Sequence, residues 1–164
     1  MNQTDIIRKA QEYFLRQDNL YGCAETTFMV LKEAYDLPDA RDSSVAMALN
    51  GGIAYSGGLC GAITGAALAV GMLAERRLSD HKDAKRIARL IIAEYMDEFK
   101  ATYLDVDCRA LVGLDFRQEE QHQRFLESGI WRTRCMAQIE FAIRRLFDLR
   151  HRHTWEETIQ RIQS

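Results

Sequence analysis

The sequence predicts a single all-α domain, a bundle of about six to seven helices around a buried apolar helix at residues 59–74. Apolar residues recur at helical spacing along nearly the whole chain, and no segment alternates between apolar and polar residues over a useful length. Proline occurs once, at Pro38, and the glycines are clustered, so few long loops are expected. The 164 residues suffice for one core. Because no repeat or linker divides them, residues 1–164 are predicted to form one domain.

Three helices are predicted in the first third of the chain. The first has Thr4 as its predicted N-cap and carries an apolar stripe as far as Phe14. The second covers residues 22–35 and the third residues 39–49. A glycine-rich stretch at residues 50–58 follows and is the strongest break in the pattern.

The predicted helix at residues 59–74 is the longest apolar run. It is shorter than the roughly 20 residues that span a bilayer, so a buried central helix is expected and a membrane span is not. Gly61, Gly65 and Ala69 lie four residues apart on it. Such a small-residue face allows another backbone to approach closely, either within the chain or across a homodimer.

The remainder of the chain is also predicted to be helical. The predicted extents are residues 79–103, 108–112, 118–127, 131–149 and a last short helix after Thr154. Asp80 and Asp107 are predicted N-caps, and Thr154 with Glu157 forms a predicted capping box.

Charge and termini restrict the classes of partner. The net charge of -2 and the pI of about 6.1 provide no general attraction to nucleic acid or to membranes. Charged residues interrupt residues 1–14, so the apolar core of a secretory signal is missing. A cytoplasmic location is therefore predicted. Because thiols are kept reduced there, cysteines are expected to be free, metal-bound or redox-active rather than joined in structural disulfides.

The cysteines are the main candidates for chemistry. The chain contains four, at Cys23, Cys60, Cys108 and Cys135. Their spacing contains no C-x-x-C pair, but the first three lie at predicted helix starts, where N–H groups and the helix dipole favour a thiolate. Cys135 lies a few residues inside its predicted helix, beside Arg134. Glu25 is interpreted as a first-turn acid that stabilises its helix, with a proton acceptor near Cys23 as the alternative.

Two longer motifs accompany these cysteines. Residues 60–65 have the sequence C-G-A-I-T-G, and residues 108–113 have the sequence C-R-A-L-V-G. In order with Gly22-Cys23-Ala24, the glycine-rich residues 51–58 and Cys135, these segments resemble the C_GCAxxG_C_C family of small bacterial and archaeal redox-active proteins. One departure is Met136, where the family often has a proline after its last cysteine.

The resemblance implies a redox role. A similar domain occurs in the split-Soret type of cytochrome c, where it is associated with an iron–sulfur centre beside haem. By that resemblance, Cys23, Cys60, Cys108 and Cys135 are the expected ligands of a [2Fe–2S] cluster. The chain has no C-x-x-C-H motif, so covalently attached haem is not expected.

Three functions stay open from the sequence. In the favoured one, the four thiolates hold an iron–sulfur cluster, or less favourably zinc, and exchange electrons with an unidentified redox partner protein. The second is metal-free thiol–disulfide chemistry with Cys60 and Cys23 as the catalytic residues. Cys60 is the predicted nucleophile because its flanking glycines should leave it accessible. The third is a non-redox helical binding module whose cysteines are inert core residues.

Overall fold

The computed structural model describes residues 1–164 and consists of helices joined by short connections. Seven of the helices have seven or more residues, and the predicted all-α class is confirmed. The α-helices are α1 (Gln3–Phe14), α2 (Cys23–Ala34), α3 (Gly61–Arg77), α4 (His81–Tyr103), α5 (Cys108–Val112), α6 (Glu119–Ser128), α7 (Met136–Leu146) and α8 (Arg152–Gln163). Shorter turns are the 3-10 helices Ser44–Leu49 and Phe147–Arg150 and the π-helical turn Trp131–Cys135. None of the helices has both the length and the hydrophobicity needed to cross a membrane.

Helix α3 occupies the centre of the bundle and packs against α2, α4 and α7. It follows the predicted apolar helix but begins after Cys60 and continues to Arg77. Its small-residue face contacts α2 within the chain. A Cβ atom at Gly65 would lie 2.3 Å from the Ala24 carbonyl oxygen, and one at Gly61 would lie 2.7 Å from the Ala24 nitrogen. Glycine at both positions therefore allows the start of α2 to approach α3.

The core contains 38 buried residues and draws on every α-helix except α6, which has no buried residue. Helix α4 shows why the periodicity was informative. Its buried side chains, spaced four apart on one face, are Ile87, Ile91, Tyr95 and Phe99. Helix α6 instead lies over the edge of the bundle, and this position makes it a wall of the cavity described below.

The predicted helix at residues 39–49 is wrong in its first half, because only residues 44–49 form a 3-10 helix. The buried Lys32 ammonium donates hydrogen bonds to the carbonyl oxygens of Asp39 (2.7 Å) and Asp42 (2.6 Å). The Asp39 carbonyl oxygen also accepts the Asp42 N–H at 2.8 Å, so residues 39–42 form a turn that Lys32 stabilises instead of a helix.

Other boundaries also differ from the predictions. Helix α1 begins two residues earlier than predicted, because Asn2 and Asp5 form the capping box and Thr4 does not cap. The N-cap of α8 is His151 rather than Thr154. The predicted helix at residues 131–149 is divided by the π-helical turn, where the Trp131 indole N–H donates to the Leu126 carbonyl oxygen at 3.1 Å. Asp80 and Asp107 are N-caps as predicted.

Candidate functional site

Cys60 and Cys108 lie on two adjacent backbone segments. The Cys60 N–H donates to the Val106 carbonyl oxygen at 2.8 Å, and the Cys108 N–H donates to the Gly58 carbonyl oxygen at 2.7 Å. Cys60 is the N-cap of α3, and Cys108 is the first residue of α5. This short antiparallel pairing brings together two cysteines that are distant in the sequence.

The segment before Cys60 is a left-handed turn. Five consecutive residues have positive φ angles: Gly51 (65°), Gly52 (74°), Ile53 (69°), Ala54 (51°) and Tyr55 (58°). For residues other than glycine this conformation costs roughly 1–2 kcal/mol each. Three hydrogen bonds hold the turn, since Gly57 N–H donates to Gly51 O (3.0 Å), while Gly58 N–H (3.0 Å) and Ser56 Oγ (2.6 Å) donate to Gly52 O. The turn places Tyr55 beside the cavity.

Cys23 is the first residue of α2 and is half-buried. The buried Glu25 carboxylate fixes this helix start by accepting hydrogen bonds from Gly22 N–H (3.0 Å), Asn50 Nδ2 (2.8 Å) and Ser43 Oγ (2.9 Å). Asn50 Oδ1 accepts the Ala24 N–H at 3.0 Å. Glu25 therefore acts as the first-turn acid, as interpreted from the sequence. The role of Asn50 was not predicted, because nothing in its local sequence links it to a helix 26 residues away.

Cys135 ends the π-helical turn and is the side chain with the largest effect on the pKa of Cys23. The pKa of Cys23 is raised well above its ordinary value. The largest cause is the interaction with the Cys135 side chain, followed by burial.

The other two cysteines belong to the same electrostatic cluster. Burial, followed by the charge of Cys23, raises the pKa of Cys60 to about 12. Burial, followed by the charges of Cys23 and Cys60, also raises the pKa of Cys108 far above its ordinary value. The expectation that helix starts would stabilise thiolates is thus wrong for the reduced protein. At Cys60 the backbone N–H groups of Ala62 and Ile63 do lower the pKa, but burial has the larger effect.

All four cysteines are free thiols. Their chemistry suits iron–sulfur clusters or zinc. However, nowhere in the structure are three or more His, Cys, Asp or Glu side chains grouped so that they could hold a metal ion. The Cys60 thiol instead faces Gln138, with 3.5 Å between Sγ and Oε1. The prediction that Cys60 would be the most accessible cysteine is wrong, because Cys60 is only 2% exposed.

A cavity of about 290 Å³ opens beside three of the cysteines, namely Cys23, Cys108 and Cys135. Its walls are mainly apolar and include the rings of Phe14, Tyr21, Tyr55, Phe116, His122, Phe125 and Trp131. Helix α6 closes one side with His122, Phe125 and Leu126, although its sequence predicted only a brief polar helix. The available signal was the pair Phe125-Leu126 in an otherwise polar segment.

Comparison with known proteins identifies one family. The model of a family described as "Putative redox-active protein (C_GCAxxG_C_C)" matches residues 21–149. This range contains all four cysteines and the left-handed turn. It also contains every residue that lines the cavity except Phe14, Asn19 and Leu20. No curated protein and no solved structure matches the chain significantly.

Proposed function

Because the chain belongs to the C_GCAxxG_C_C family of redox-active proteins, we propose that Cys23 and Cys135 cycle between two thiols and one disulfide. The observation that carries the proposal is that Cys23 and Cys135 line the same open cavity, and Cys135 is also the side chain with the largest effect on the pKa of Cys23. A dithiol centre needs two sulfur atoms within reach of one another and a route for the oxidant, and the shared cavity supplies the route.

Access distinguishes the roles of the two cysteines. Cys23 is half-buried, whereas Cys135 is only 3% exposed, so an oxidant approaching through the cavity meets Cys23 first. Cys135 is then the resolving thiol. Cys60, the other cysteine predicted to be catalytic, is buried against Gln138 and does not line the cavity.

The test is oxidation of metal-free protein in buffers of defined potential made from 2-mercaptoethanol and its uncharged disulfide, followed by thiol counting and peptide mapping. We expect two thiols to disappear together and a disulfide to link Cys23 with Cys135. Cys23→Ser and Cys135→Ser should each abolish the transition, whereas Cys60→Ser should retain it. A protein that keeps four free thiols throughout, or that forms only another disulfide, would contradict the proposal.

The second candidate is an iron–sulfur or zinc centre held by Cys23, Cys60, Cys108 and Cys135. Interactions with other cysteines help to raise the pKa values of Cys23, Cys60 and Cys108. This effect supports a metal centre, because a bound cation would replace the thiol protons. The present arrangement does not fit a metal without side-chain movement, because no three ligands are grouped. Such a centre would supply one-electron transfer if it were iron–sulfur.

Metal analysis separates the two candidates. Protein purified without air should be assayed for iron, zinc and acid-labile sulfide, and its visible spectrum recorded. Iron with sulfide and visible absorption would support the cluster and electron transfer, and Cys60→Ser should then remove both. A colourless, metal-free sample would support the thiol pair.

A non-redox binding module is disfavoured because the chain belongs to the redox-active family.

A further inference from the structure

We infer that the aromatic cavity beside Cys23 and Cys135 is a binding site for the ring of a quinone, which the thiol pair reduces to a hydroquinone. The inference rests on the proposed dithiol function and names the class of its oxidant. It is drawn from the size, walls, charge and opening of the cavity.

The size and walls fit a small flat ring. The volume of about 290 Å³ lies at the lower end of the range for small-molecule sites, roughly 300–1,000 Å³. Aromatic rings surround this space in edge-to-face and tilted pairs, such as Phe14 with Trp131 (5.7 Å between centroids) and Phe116 with Phe125 (4.5 Å). Such walls favour a planar unsaturated ligand over a flexible one.

The charges of the cavity exclude many other oxidants. No lysine or arginine lines it, and the one charged residue, Glu25, is an acid that already accepts three hydrogen bonds. Glutathione disulfide and nucleotide cofactors carry several negative charges and would find no cation here. An uncharged oxidant is therefore favoured.

One polar group is free to recognise a carbonyl oxygen. The His122 imidazole lies 5.0 Å from the Tyr55 ring and 5.6 Å from the Phe116 ring, measured between centroids. Its ring nitrogens have no hydrogen-bond partner in the chain, in contrast to those of His81, which faces Glu75. A ring N–H of His122 can therefore donate to a quinone oxygen.

The opening of the cavity is apolar. Four residues that line it are also exposed large apolar side chains, namely Leu20, Met47, Tyr55 and Leu126. Apolar side chains at this opening favour the entry of an uncharged ring over that of a charged oxidant.

The proposed reaction balances without a further reactant. The S–H bonds of Cys23 and Cys135 break and one S–S bond forms, which releases two electrons and two protons. The quinone takes up both electrons, and one proton adds to each of its two oxygens to give the hydroquinone.

Binding can be measured separately from electron transfer. In a Trp155→Phe background, Trp131 in the cavity wall is the only tryptophan, since Trp155 lies on α8 beside Arg77. Adding Cys23→Ser and Cys135→Ser prevents thiol oxidation. The probe is duroquinone, whose fully substituted ring offers no free position for thiol addition. We expect saturable quenching of Trp131 fluorescence.

A matched pair of variants tests the location. Met47 lines the cavity and is 62% exposed, whereas Val45 lies on the same 3-10 helix, is 65% exposed and does not line it. Met47→Ala should weaken duroquinone binding about fivefold through lost apolar contact. Val45→Ala should leave the affinity unchanged. Equal effects of both substitutions would contradict the assigned site.

The second arm uses reduced wild-type protein without air, treated in parallel with duroquinone and with oxidised dithiothreitol. We expect one hydroquinone for every two thiols lost, and no hydroquinone with Cys23→Ser. Oxidation by oxidised dithiothreitol without quenching or hydroquinone would overturn the quinone site and leave the dithiol function intact. Saturable quenching without thiol oxidation by either reagent would instead overturn the proposed function while supporting the ring-binding site.

Discussion

At the scale of single residues, the buried Glu25 determines where α2 begins and thus where Cys23 lies. Its carboxylate accepts from three donors, and one of them, Asn50, also accepts the Ala24 N–H. A glutamine side chain at this position would have an NH2 group in place of one carboxylate oxygen. That group cannot accept from these donors, so a buried hydrogen bond would be lost.

Glu25→Gln is therefore expected to lower the free energy of unfolding by about 1–3 kcal/mol. Urea denaturation of the reduced protein measures this change. Glu12→Gln on the exposed face of α1 is the control and should change stability by less than about 0.5 kcal/mol. If both variants unfold at the same urea concentration, the network does not fix the start of α2.

The thiol of Cys60 makes stability depend on alkaline pH. Its pKa rises from an ordinary 9.0 to about 12 in the fold, chiefly through burial. The folded protein then binds more protons than the unfolded chain between these two pH values, so stability is fully present below pH 9 and decreases as the pH rises towards 12.

Urea titrations of reduced protein between pH 8 and pH 11 should show this decrease, and Cys60→Ala should show a smaller one. Burial also raises the pKa values of Tyr35 and Tyr95, so these groups add a loss that both proteins share. Parallel curves for the wild type and Cys60→Ala would contradict the assignment to Cys60.

At the scale of helices, α2 and α3 approach closely at the glycines of α3. An added Cβ atom at Gly65 would lie 2.3 Å from the backbone oxygen of Ala24, which cannot move without moving α2. At Gly71 on the same helix an added Cβ atom would meet nothing within 4 Å.

Gly65→Ala should therefore destabilise the protein by about 1–3 kcal/mol through overpacking. Gly71→Ala should stabilise it by up to about 1 kcal/mol, because alanine is the better helix former. Thermal unfolding of the two variants measures the contrast. A neutral effect at both positions would show that α2 and α3 do not approach as closely as described.

Helix positions could be predicted from sequence to the extent that local patterns determine them. The periodicity of α4 and the N-caps Asp80 and Asp107 are local features, and the structure has them. Residues 39–43 were predicted to be helical but form a turn in which Lys32 donates hydrogen bonds to two carbonyl oxygens, an interaction that no pattern within this segment reveals.

The site was less predictable than the helices for the same reason. Three cysteines lie at helix starts as expected, but their pKa values depend on burial and on one another. The left-handed turn includes Ile53, Ala54 and Tyr55, which no propensity would assign to that conformation. Its neighbouring glycines and its hydrogen bonds to residues 56–58 stabilise it.

At the scale of the whole molecule, the proposed disulfide would connect two helices that pack on α3 from different parts of the chain. Cys23 begins α2, and Cys135 directly precedes α7. A bond between them would close a loop of roughly 110 residues and restrict the unfolded chain, an effect worth about 5 kcal/mol in the chain-entropy description.

The oxidised protein should therefore resist urea more strongly than the reduced protein, by up to about 5 kcal/mol in the free energy of unfolding. Cys60→Ser should keep this difference, because Cys60 is outside the proposed pair, and Cys23→Ser should remove it. If oxidation leaves the unfolding midpoint of the wild type unchanged, Cys23 and Cys135 are not joined. If the difference survives Cys23→Ser, another pair of cysteines forms the disulfide.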